Sequence, residues 1–293
     1  MNALLLLAAC LGPDGGASYQ DQWMVLGLNS DSSILDVRLS TGNSGMLAGG
    51  GQVRADWVSL QDGGLGYARQ GLSPDVTVSP TGIAIGPDSL ENQDDEWVLR
   101  IQSGEFDSRV QLTNTLLELP QSLEEDWRMS TFFAGPMQGV IRAQNQSELL
   151  QGYAVGIRAW GTTPPSLAGK TRRSAFVLAE DLAIGIDQVG SQATGFAVVA
   201  GQQLDASTAM LRKEEGFYVL DFQPAADLEI RITPRKPHRQ TSPWDHLYAI
   251  ERWVASLRYG RPVHRVRAGQ AAVRLGDRQI EARAVIAVNG FVD

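Results

Sequence analysis

From Trp23 onward, apolar and polar residues alternate in short runs broken by Gly, Pro, Asn and Asp. That rhythm is the signature of antiparallel sheet with one face buried. Leu35, Val37 and Leu39 alternate with Asp36 and Arg38, and residues 53–60, 75–79, 81–85, 97–102 and 108–112 continue the pattern. A second set occupies residues 139–143, 153–160, 175–179, 182–188, 195–200, 217–222 and 228–233. The spacing of about 8 to 12 residues suits a sandwich or a barrel. No helical segments separate these runs, which excludes the parallel α/β architectures, Rossmann and TIM folds among them. The expected class is all-β, with two antiparallel barrels or sandwiches in tandem.

One segment departs from the pattern. Ser242-Pro243-Trp244-Asp245 combines an N-cap serine, a proline at the first helical position and an early acid. Trp244, Leu247, Tyr248, Glu251, Val254 and Leu257 then recur at three- and four-residue steps up to Gly260. A late helix is expected near residues 243–259. Strands follow at 263–267, 271–275 and 279–288, with Gly276-Asp277 as the turn of the last pair.

At 293 residues and 43% hydrophobic composition, the chain can fill two cores. The acidic stretch Pro120–Asp126 gives a soft divide, so the domains are read as 20–135 and 136–293. The loop 161–170, with Thr162-Thr163-Pro164-Pro165, is a second candidate divider. Charge is uneven. Residues 231–283 carry twelve Arg or Lys against four acids, while the whole chain has a formal charge of −8.

The single cysteine has a distinctive position. Leu7-Ala8-Ala9-Cys10 resembles the bacterial lipobox, in which small residues precede a cysteine whose thiol takes a diacylglyceryl group. On this reading residues 1–9 are a lipoprotein signal peptide, residues 10–19 a Gly/Pro/Ser tether, and Cys10 the lipidated residue. The protein is then held on the bacterial outer membrane by its acyl chains, facing the periplasm or the exterior. The first residues lack positive charge and the apolar run is short, so a buried N-terminal strand with an inert cysteine, or a mis-set start codon, is the competing reading.

Several chemistries are excluded. One Cys rules out a disulfide scaffold and a multi-thiolate zinc site, and three His, all between 238 and 264, argue against a histidine-rich metal centre. No metal or other cofactor is expected. Ala168-Gly169-Lys170-Thr171 has Pro164 where a phosphate-binding loop requires glycine, and no Gly-x-Ser-x-Gly elbow occurs. The glycine-rich stretch 42–51 reads as a hairpin or bulge, and Asp94-Asp95-Glu96 and Glu124-Glu125-Asp126 as solvated turns. Nucleic acid is not an expected partner.

The segment Gly152-Tyr153-Ala154-Val155-Gly156-Ile157-Arg158-Ala159-Trp160-Gly161 resembles the Gly-Tyr…Trp-Gly strand that opens the second domain in paired lipocalin-like β-barrel proteins. That group includes carotenoid hydratase (hydroxyneurosporene synthase). The resemblance implies two lipocalin-like barrels whose apolar interiors hold a lipid or terpenoid. Relatives usually carry His, Asp or Glu between the Tyr and the Trp, where this chain has Ala154, Val155 and Gly156, so the hydratase activity is not carried over.

Two functions from different classes therefore stand beside each other, and whether the chain is an enzyme stays open. One is binding of a hydrophobic small molecule without catalysis, with Trp57, Trp97 and Trp160, on alternating strands, as lining residues. The other is an enzyme acting on a lipid or isoprenoid, with His246 or Asp245 as acid or base. A third reading is a sheet face that binds another protein.

Overall fold

The computed structural model describes residues 19–43, 50–59, 66–94, 96–102, 106–113, 119–124, 127–143, 146–162, 171–200, 202–204, 208–223, 228–242 and 262–291, together with 249, 250, 252, 253 and 256. The first sheet comprises β1 (Gln20–Asn29), β2 (Ile34–Gly42), β3 (Gly50–Val58), β4 (Gly66–Ser73), β5 (Val76–Ser79), β6 (Gly82–Ile85), β7 (Asp88–Gln93), β8 (Glu96–Gln102), β9 (Phe106–Thr113), β10 (Leu119–Glu124), β11 (Trp127–Ala143) and β12 (Gln146–Gly161). The second comprises β13 (Arg172–Ala179), β14 (Leu182–Val189), β15 (Gln192–Val199), β16 (Gln202–Leu204), β17 (Thr208–Glu214), β18 (Phe217–Gln223), β19 (Leu228–Thr241), β20 (Pro262–Leu275) and β21 (Arg278–Phe291). All the strand pairings are antiparallel, and the molecule is all-β with two barrel-like units.

The first sheet runs β4-β3-β2-β1-β12-β11-β9-β8-β7-β6-β5, with β10 beside β11. Its ends curl together. A Cβ on Gly51 of β3 would lie 2.9 Å or less from side-chain atoms of Ile85 and Val76 on β6 and β5. The second sheet runs β16-β15-β14-β13-β21-β20-β19-β18-β17. It curls likewise, and the Leu211 amide of β17 donates to Gln188 Oε1 of β14 at 3.1 Å. Gly276, with φ +57°, forms the expected turn between β20 and β21. Gly161 ends the first sheet and Arg172 begins the second, so the change of sheet falls at the later of the two candidate dividers. Residue 135 lies within β11, which pairs with β12 along its whole length. The Gly152–Gly161 segment is the second half of β12, between β1 and β11.

Alternation sorts the side chains into three cores. Trp23, Val25, Leu35, Val37, Leu39, Val53, Ala55 and Trp57 point into the first barrel, where Phe132, Phe133 and Trp97 meet them. Val177, Ile184, Ile186, Leu220, Ile230 and Ile232 fill the second. The opposite faces of the same strands form the third core. Met24, Leu26, Leu28, Ile34 and Val58 from the first sheet pack against Phe176, Leu178, Phe196, Val266 and Val285 from the second. β1, β13 and β14 are therefore buried on both faces, which is why Trp23-Met24-Val25-Leu26 and Ala175-Phe176-Val177-Leu178 are unbroken apolar runs.

Of the late helix, Ala249, Ile250, Arg252, Trp253 and Ser256 have helical backbone, and Ser256 Oγ donates to the Arg252 carbonyl at 2.7 Å. The rest of that segment lies outside the described residues, as do Cys10 with residues 1–18, and residues 44–49 of the glycine-rich stretch.

Candidate functional site

The outward residues of β2 and β3 are charged, although the second barrel covers them. Asp36 and Arg38 on β2 lie directly opposite Asp56 and Arg54 on β3. Both aspartates are buried, at 3% and 2% exposure. From the second barrel, β20 contributes His264, β21 Asn289, β19 Arg239 and Thr241, and β13 Arg172. Thr241, His264, Asn289 and Arg172 form one cross-strand row through β19, β20, β21 and β13. These groups make a polar belt across an otherwise apolar seam.

At its centre, His264 Nε2 lies 2.5 Å from Asp36 Oδ2, and Nδ1 lies 2.7 Å from Asn289 Oδ1. Arg38 brings Nη2 to 2.6 and 2.7 Å from the two ring nitrogens, and its Nη1 donates to Asn289 Oδ1 at 3.0 Å. Burial pushes the imidazole pKa down and Arg38 pushes it further, against the pull of Asp36. The ring is thus held neutral, with one proton for two oxygen acceptors, and Arg38 serves the nitrogen that lacks it. Burial alone would raise the Asp36 carboxyl, but Arg38 and His264 outweigh it and keep it ionised well below the usual carboxylate range. An ionised carboxylate, an imidazole that carries one proton and a fixed cation are the parts of a proton-transfer site.

On one side of this centre, Arg54 Nε donates to Asp56 Oδ2 at 2.8 Å, and Arg239 Nε lies 3.0 Å from Asp56 Oδ1. The Arg239 N–H is not aimed at that oxygen, and neither atom makes a hydrogen bond. On the other side, Arg172 pairs with Asp187 at 2.6 Å, and Ser174 Oγ donates to the same carboxylate at 2.8 Å. Among the described residues eight buried side-chain N or O atoms make no hydrogen bond; of the five at the seam, Asp56 Oδ1 and Arg239 Nε face each other as an ion pair, which leaves those of Trp127, Thr131 and Thr241. Buried polar atoms are normally satisfied, which sets these three apart.

The residues singled out in the sequence lie elsewhere. Trp57 and Trp97 are inside the filled first barrel. Trp57 Nε1 donates to Glu148 Oε2 at 3.0 Å, and Trp97 lies 4.4 Å from the Phe132 ring and 5.9 Å from Trp23. Trp160 is half-buried at the end of the same face, where the Arg158 guanidinium sits 5.1 Å from its ring and 4.6 Å from that of Trp23. Arg158 also binds both oxygens of buried Asp21, at 3.1 and 2.8 Å, and so stoppers that end of the barrel. Asp245, His246 and the His238 side chain lie outside the described residues. Asp36, Arg38 and Arg172 were not singled out because an alternating strand offers no sign that its polar face is covered. The available signal was the unbroken apolar run on neighbouring β1.

No protein-family model matches the sequence, and no curated protein does. Solved structures do match. A protein described as AttH from Nitrosomonas europaea superposes with a TM-score of 0.64 at 13% identity, covering 97% of this chain and 96% of that one. CghA superposes at 0.66 with 7% identity, covering 94% and 89%, and kievitone hydratase from Nectria haematococca at 0.59 with 10% identity, covering 96% and 91%. The matches span nearly the whole of each chain, and this protein shares the tandem-barrel fold of these structures.

Proposed function

We propose that this protein binds an apolar small molecule at the seam between its barrels, beside the Asp36–His264 pair. The observation that carries this reading is the coincidence, at the seam, of a broad apolar surface with buried polar atoms of Trp127, Thr131 and Thr241 that make no hydrogen bond among the described residues. The interior of the first barrel is packed with aromatic and aliphatic side chains. A bound molecule would line its apolar body along Leu26, Phe176 and Val285 and turn its oxygens toward the belt. One structural neighbour has been crystallised with Sch210972, and another is a hydratase.

A second reading follows from His264. A neutral imidazole can take a proton from water as its oxygen bonds to one carbon of an electron-poor double bond, and return that proton to the neighbouring carbon, which balances the addition. On this reading Asp36 and His264 take the acid–base roles, with Arg38 and Asn289 orienting the ring. The anchor at Cys10 belongs to the same proposal and would keep the seam at a membrane from which an apolar ligand can be drawn.

Native mass spectrometry of the protein purified from its own host tests the binding reading. The expected result is a non-covalent small-molecule adduct that disappears on denaturation, and an empty protein from that source overturns it. Cys10→Ser should release the chain from the membrane fraction; unchanged retention refutes lipidation there.

A further inference from the structure

The β11 end of the belt carries hydrogen-bond donors in excess of acceptors. Trp127, Met129 and Thr131 succeed one another along the seam-facing side of β11. Trp127 Nε1 and Thr131 Oγ1 are buried without a partner. Opposite the middle of this row stands Arg172, 5% exposed. Of its five N–H bonds, those on Nε and one on Nη2 go to Asp187, at 2.8 and 2.6 Å. The remaining terminal hydrogens face sulfur: Nη2 lies 3.1 Å from Met129 Sδ and Nη1 3.9 Å from Met24 Sδ. A thioether is a weak acceptor. Asp187 cannot make up the deficit, because Arg172 and Ser174 already occupy it.

We infer that the seam ligand is an apolar carboxylic acid whose carboxylate is seated between Arg172 and Thr131, within reach of Trp127. The inference rests on the seam being the binding site and adds the chemical class of what binds there. A carboxylate supplies about four lone-pair sites and matches the planar guanidinium edge. Met24 and Met129, unbranched and readily repacked, give way to it. Arg172 is also the cross-strand neighbour of Asn289, which holds His264. An acid gripped there places the first carbons of its apolar body next to the Asp36–His264 pair.

The test uses cis-parinaric acid and its methyl ester, whose polyene fluorescence rises on leaving water, with the full chain and three variants. The native protein is expected to bind the acid at least about tenfold more tightly than the ester, the size of one charge-assisted hydrogen bond. Arg172→Met combined with Asp187→Asn leaves no buried charge unpaired and should bring the two affinities to parity. Thr131→Val removes a hydroxyl that has no partner in the free protein. It should lower acid affinity severalfold with the Tm unchanged or raised, which a merely structural hydroxyl would not do. Trp127→Phe should act in the same direction. Equal binding of acid and ester by the native protein overturns the inference and leaves the seam reading standing. Acid preference that survives both Arg172→Met/Asp187→Asn and Thr131→Val places the acid elsewhere and overturns it as well. Failure of both probes to bind removes the seam reading and this inference together.

Discussion

The interior of the first barrel and the seam are built by the same strands seen from opposite sides. On β2 the inward residues Leu35, Val37 and Leu39 enter a core of hydrocarbon and indole, while outward Asp36 is buried and Arg38 mostly covered in the interface between the sheets. The two regions differ in what closes them. The barrel core is completed by its own sheet, whereas the seam sets charged groups of one sheet against polar or charged groups of the other, as in Asp36 with neutral His264 and Asp56 with Arg239. Desolvating such pairs costs about as much as they return, so they contribute orientation and chemistry more than stability.

This contrast can be broken in several ways. The largest effects come from removing one member of each region. Phe133→Ala in the barrel core and Asp187→Ala at the seam should each cost about 3–5 kcal/mol in urea denaturation. They should part on rescue. Adding Arg172→Met to Asp187→Ala should restore most of the loss, because the lone buried cation disappears, while the cavity at residue 133 has no such partner. If Arg172→Met makes Asp187→Ala worse, the pair is a net stabiliser and the contrast fails.

Gly185→Ala comes next, at about 1–3 kcal/mol. Its Cβ would meet the Phe196 ring at 2.4 Å and Phe176 at 2.8 Å on the seam side of β14. A neutral result would show that the seam yields where a barrel core would not.

A smaller effect is expected from pH. The folded His264 pKa lies below its unfolded value of about 6.5, so the unfolded chain takes up the proton first. Its contribution is complete above about pH 6.5 and falls as pH drops through the folded value. Asp36 is also depressed, so its contribution is complete above about pH 4 and is lost at lower pH. His264→Gln should remove the upper limb of the stability–pH curve and shrink the lower one, which Arg38 still supports, as read by thermal melts from pH 8 to 3. An unchanged upper limb would assign it to other groups. The smallest effect is that of Thr131→Val on the free protein, where Tm should hold or rise by a degree or two.

Much of the architecture was legible in the sequence because alternation and turn chemistry are local. Leu35-Asp36-Val37-Arg38-Leu39 states its strand and its inward face, and Gly276-Asp277 its turn. The site was not legible, because it depends on which outward face the other barrel covers. Asp36 and Arg38 have the pattern of side chains that meet water, and His264 was one of three unremarkable imidazoles until the fold set it against Asp36, 228 residues away. Tryptophans drew attention by size, and Trp57 and Trp97 are packing residues of the first barrel.

The register shift in β11 between Thr131 and Phe133 sends two consecutive side chains, Phe132 and Phe133, into the first barrel. Before it the odd-numbered residues Trp127 and Met129 face the seam, and beyond it even-numbered Ala134 does. The strand is therefore read in two phases, and that one additional residue decouples them. Deleting Phe132 would bring the phases into line with no side chain turned over: Trp127 and Met129 would still face the seam, and Phe133, Met137 and Ile141 would still enter the barrel. Loss of that one residue would keep both faces of the strand and cost the barrel the ring that stands between Trp23 and Trp97.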